Sequence, residues 1–109
     1  MKIKTLNRDV VESEIGYRPF TTFFEDFSIA DNFGVDAIKD TYNRAFNEWK
    51  YDYKYLTEFV MVLCWKIEQH HESNEAYAEV YNELYHKAND YALENLKGEE
   101  LQYFYRTTD

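Results

Sequence analysis

Seven consecutive apolar residues, Phe59-Val60-Met61-Val62-Leu63-Cys64-Trp65, occupy the middle of the chain and constrain everything around them. A segment apolar on every side has to be wrapped by other elements. Its flanks continue at intervals of three and four, with Leu56 before it and Ile67 and His71 after it, which is the period of a helix. The spacing predicts a central helix over residues 53–72 with Asp52 as its N-cap and its middle as the most buried part of the protein. Cys64, inside that run, is expected to be buried as a small hydrophobe; as the single cysteine it excludes an internal disulfide. The run is far shorter than the roughly 18 residues a bilayer-spanning helix needs.

The wrapping elements are helical too. Three glycines and one proline in 109 residues are too few turn residues for an all-β chain. Thr22 and Glu25 have the spacing of a capping box opening a helix over 22–33, with Phe23, Phe24, Phe27 and Ala30 at helical intervals and Gly34 ending it. Asp36 is the expected cap of a second helix over 37–50 carrying Ile38, Tyr42, Ala45, Phe46 and Trp49. Ser73 and Asn74 mark the turn into a fourth helix over 75–97, along which Tyr77, Val80, Leu84, Ala88, Tyr91 and Asn95 recur, and Gly98 stops it. A short connection makes helices three and four an antiparallel hairpin. A short terminal helix or turn over 99–105 follows, while residues 1–20 lack sustained periodicity and read as an irregular or partly extended arm. The fold class is therefore mostly all-α: one small domain over 1–109, a bundle of about four helices around the central hairpin.

Charge is unevenly placed within the net −9. Residues 1–67 hold 11 acids and 9 bases, whereas residues 68–100 hold 9 acids against Lys87 and Lys97. That field opposes direct nucleic-acid binding and attachment to anionic membranes. With no basic leader before an apolar stretch, the chain reads as cytoplasmic.

Catalytic and metal motifs are weak. Glu68 with His71 and Glu83 with His86 repeat a Glu-x-x-His spacing used by di-iron bundles, but His86 lies about 160° from Leu84 around the helix and should face water. We therefore assign no metal site. His70 and His71 at the end of helix three are read as interacting with its C-terminal carbonyls, with a pH-sensitive contact as the sharper alternative. Lys66, the one base near Cys64, points elsewhere on the helix, and no nucleophile elbow, phosphate loop or dinucleotide fingerprint is present. Neither a catalytic residue nor a cofactor is assigned, and the chain reads as a non-enzyme.

Two surface features remain. Glu75, Glu79, Glu83, Asp90 and Glu94 share a sector of helix four, where like charges at i, i+4 cost helix stability. They form either a solvated face or a docking surface for a basic partner. Eleven tyrosines are the second feature, among them Tyr51, Tyr53 and Tyr55 near one junction and Tyr81 and Tyr85 stepping toward the flank of helix four. Tyrosine suits either the rim of a small core or an interface, including self-association. The candidate partner-binding set is Glu75, Glu79, Glu83, Asp90, Glu94, Tyr81 and Tyr85.

The stretch from Tyr81 to Leu101 (YNELYHKANDYALENLKGEEL), followed by Tyr103-Phe104-Tyr105-Arg106-Thr107-Thr108-Asp109, resembles the ends of small acidic helical proteins of uncharacterised role encoded on mobile elements of gut anaerobic bacteria. The resemblance covers the last third and part of helix three and brings no residue roles. It implies a bacterial cytoplasmic accessory protein, a setting in which inhibitors of host defence are common. The leading expectation is an interaction module that engages a basic partner through the acidic helix and tyrosine flank. The alternatives are inhibition of a defence or DNA-binding protein by partial nucleic-acid mimicry, and a small-ligand pocket lined by tyrosines.

Overall fold

The structure, a computed structural model, describes residues 19–108. Among them are five helices and no strand: α1 (Pro19–Asp31), α2 (Val35–Trp49), α3 (Tyr53–His70), α4 (Glu75–Asn95) and α5 (Glu99–Thr108). The expected all-α bundle is what forms. The irregular arm lies outside the described residues except at its end, where Pro19 and Phe20 are already helical.

Helix boundaries follow local chemistry in most places. Asp52 caps α3, its Oδ1 accepting the Lys54 and Tyr55 backbone N–H groups at 3.0 and 3.2 Å. Asn74 caps α4 by accepting the Tyr77 N–H at 3.2 Å. Gly34, at φ 111°, makes the turn out of α1, where its N–H donates to the Ala30 carbonyl at 3.2 Å. A side chain at that φ would be strained. Two expected caps are corrected. Thr22 is inside α1, because the helix begins earlier at Pro19, whose missing N–H costs nothing in a first turn. Asp36 lies in the first turn of α2, and the N-cap position is Gly34, which has no side chain to bond.

The α3–α4 pair is the spine and is antiparallel. Near the connecting turn His70 meets Tyr77 and Tyr81, whereas Met61 and Cys64, further from the turn, share a cleft with Tyr85. The cleft, about 90 Å³ in volume, has Tyr85 as its one tyrosine. α1 and α2 pack against each other, α1 also lies on α3, and α5 folds back onto α3 with Phe104 buried. Rings fill the centre: Phe59 lies 5.4 Å from both Phe23 and Tyr42 and 5.8 Å from Phe27, centroid to centroid. Such pairs contribute about 0.5–1.5 kcal/mol each beyond their burial.

The buried stretch of α3 is displaced from the apolar run. Every residue from Tyr55 to Val60 is buried, as are Val62 and Leu63, but Cys64 and Trp65 are exposed and Met61 is half-buried. The expected burial of Cys64 is therefore corrected. A helix in a bundle this size is covered on most sides but not all, and among the described residues the sector of Met61, Cys64 and Trp65 is left open. Likewise Leu96, not Asn95, closes the core at the end of α4.

Candidate functional site

Two features separate from the apolar core: a buried polar cluster joining three helices, and the outer face of α4.

Asp31, the last residue of α1, is the centre of the cluster. Its position is electrostatically awkward, since a helix C-terminus carries partial negative charge and disfavours a carboxylate. Two side chains from α3, one of them a cation, compensate. Lys66 Nζ lies 2.6 Å from Asp31 Oδ2, and His70 Nε2 lies 2.9 Å from the same oxygen. The Tyr81 hydroxyl donates to Asp31 Oδ1 at 2.5 Å, and the Tyr77 hydroxyl donates to the Asp31 carbonyl at 2.9 Å, satisfying one of the carbonyls a helix end leaves open.

Lys66 is completely buried, which is rare for lysine unless its charge is matched. Its ammonium has three N–H donors and three acceptors in reach: Asp31 Oδ2 at 2.6 Å, Gln69 Oε1 at 2.7 Å and Ser28 Oγ at 3.3 Å. The Phe24 ring, 4.8 Å away at its centroid, and the Tyr81 ring, 5.6 Å away, add π-faces to the same cation. His70 stacks on Tyr81 at 5.6 Å with the rings parallel to within 1°, and meets Tyr77 edge-on at 5.4 Å. Burial and the bond to Asp31 push the Tyr81 phenol well above its ordinary range, so it stays a donor. Filled by its own side chains, this arrangement ties α1, α3 and α4 together.

Sequence reasoning did not find the cluster. Lys66 points away from Cys64 as expected, but into the interior, where its place three residues after Leu63 and four before His70 continues the buried stripe. That phase was the available signal. His70 is the basic residue of the last turn of α3, and its ring reaches beyond its own helix. The backbone N–H at the α3 C-cap belongs to His71 and donates to the Glu68 carbonyl, while the His70 ring is engaged across the bundle by Asp31.

The outer face of α4 holds Glu75, Glu79, Glu83, Asp90 and Glu94, all exposed. Tyr85 is half-buried on the flank of α4 that faces the cleft with Met61 and Cys64, and burial raises its phenol above the ordinary value. Tyr81 is withdrawn from the partner-binding set: it is 0% exposed, and its hydroxyl is committed to Asp31. His86 faces water, as its helical phase requires. Of the tyrosines near the α2–α3 junction, Tyr55 is buried against Trp49, while Tyr51 and Tyr53 take local cations. Lys50 lies over the rings of Phe46, Tyr51 and Tyr91 at 5.2–5.7 Å, and Lys54 over Tyr53 and Tyr103 at 6.0 and 5.8 Å.

Reactive chemistry is poorly supported. The Cys64 thiol is pushed up by partial burial and by the Glu68 carboxylate, which keeps it from the thiolate form. Among the described residues, no three side chains of histidine, cysteine, aspartate or glutamate come together as a metal-binding group. None of the described helices is long and apolar enough to cross a membrane. No family model, curated protein or solved structure matches the chain, so any functional reading rests on the geometry of its own residues.

Proposed function

We propose that the protein is a non-enzymatic interaction module that engages a basic partner through the outer face of α4, with Tyr85 at the edge of the contact. The observation that carries this reading is the low degree of neutralisation along the row. Among the described residues the one ion pair touching it is Lys87–Glu83, 3.8 Å apart with side chains 61% and 59% exposed. A solvated pair at that distance offsets little of the field. Carboxylates placed i, i+4 along one helix work against that helix, so the arrangement favours an external cation over self-stabilisation. The three-helix polar cluster supports the reading by holding the start of α4 to α1 and α3, giving the row a fixed backing.

Affinity capture from the native host followed by mass spectrometry supplies the partner, and titration of that purified partner provides the test. Affinity should fall steeply from low to high salt, and the triple variant Glu75→Lys, Glu79→Lys, Glu83→Lys should lose most of it. Binding that survives the triple variant at low salt sinks the proposal.

A further inference from the structure

Away from α4, the surface between α1 and α2 carries an open groove. One part, about 340 Å³ in volume, is walled by Ile29, Phe33 and Ala37 together with Asp26, Asp40 and Arg44. A second part of about 240 Å³ shares Asp26 and Arg44 and extends the groove along the same two helices to Glu48 and Trp49. Two features separate this groove from an ordinary crease. Phe33 is 78% exposed and Ile29 59% exposed; Ile29 in the last turn of α1 and Phe33 in the turn that follows it both line the groove and form one apolar step beside it. Large apolar side chains gathered at a cleft with a polar rim mark a protein contact more often than a bare surface. The charged groups along the wider part are also unequal, with Asp26 and Asp40 set against Arg44. Burial pushes the Asp26 carboxyl above its ordinary value although Arg44 opposes the shift, so the groove still favours added positive charge.

We propose that the α1–α2 groove seats an amphipathic segment of the basic partner, an apolar side chain resting on Ile29 and Phe33 while a neighbouring lysine or arginine lies by Asp26 and Asp40. This rests on the reading of the partner as basic and separates two tasks. The acidic face of α4 attracts the partner through a field that acts before contact, and the groove holds it after contact. Charges outside the tightly packed contact act mainly on association and its salt dependence, whereas buried apolar anchors act mainly on dissociation.

A synthetic amphipathic peptide of leucine and lysine serves as the probe, with the same peptide carrying glutamate for lysine as its control. Binding kinetics and amide shifts are recorded on the full chain. The lysine peptide should shift the Ala30, Ala37 and Thr41 amides, and the glutamate peptide should not. In the double variant Ile29→Ser, Phe33→Ser the dissociation rate should rise roughly tenfold with the association rate unchanged. Both residues are exposed, and an unaltered circular dichroism spectrum verifies the fold. The α4 triple variant should instead slow association and flatten its salt dependence. Wild-type dissociation from the double variant, or equal binding of the two peptides, overturns the groove assignment. Loss at the double variant with no effect of the α4 triple overturns the α4 reading and leaves the groove standing.

Discussion

Lys66 places its ammonium 2.6 Å from Asp31 Oδ2 with its side chain wholly removed from water, joining the middle of the bundle to the end of α1. An ion pair so buried is expensive to break, because removing one partner leaves the other charge in a poorly solvating interior. Asp31→Asn should therefore cost about 3–5 kcal/mol in urea denaturation. The double variant Asp31→Leu, Lys66→Met removes both charges and should be more stable than Asp31→Asn alone. A double variant as unstable as the single one would show that the two charges do not depend on each other.

The Tyr81 hydroxyl donates to the same carboxylate, and a hydrogen bond to a charged acceptor contributes more than one between neutral groups. Tyr81→Phe should cost about 1.5–3 kcal/mol, and Tyr77→Phe, which loses a bond to a carbonyl, about 1 kcal/mol. Equal losses in the two variants would count against the carboxylate as the hub.

Alkaline pH should weaken the fold through its buried phenols. Burial raises Tyr42 from 10.0 to about 12, and Tyr81 is raised as well. A phenol held neutral in the fold contributes stability that is fully present below the unfolded value of 10.0 and declines as pH rises from there toward the folded value. Unfolding free energy should thus fall from pH 10 to 12 for Tyr42, and Tyr42→Phe should flatten that limb. Denaturant titrations at stepped pH check this, with phenolate absorbance following ionisation.

Asp52 closes the first turn of α3 with two backbone hydrogen bonds, although burial raises its carboxyl above the ordinary value and those bonds only partly oppose the rise. Asp52→Ala should cost about 1 kcal/mol, and Asp52→Asn, which keeps an acceptor, much less. Thermal melts of the two variants discriminate capping from charge.

On α4, Glu79 stands four residues from both Glu75 and Glu83, and all three are exposed. Glu79→Lys replaces two repulsive pairs with two attractive ones and should stabilise the protein by about 1 kcal/mol at low salt, the gain shrinking as salt is added. A variant that is both more stable and weaker in partner binding would mark the row as kept for contact at the expense of the fold.

The helices and most of what they bury follow from local sequence. Periods of three and four, the cap Asp52 and the turns at Gly34, Asn74 and Gly98 are local properties that propensity and amphipathic phase place, whereas the caps expected at Thr22 and Asp36 fall inside helices that start earlier. The acidic row on α4 and the outward phase of His86 were legible for the same reason. Which sector of α3 remains open, and which polar residues lie inside, was decided by the tertiary structure alone. Lys66 can sit where a hydrophobe would be expected because Asp31, 35 residues earlier in the chain, reaches the same point from another helix. Tyr81 leaves the surface because that carboxylate accepts its hydroxyl, and Cys64 is exposed because none of the described helices covers its sector. Periodicity reports which way a side chain points from its own helix; what it meets there depends on how the other helices dock.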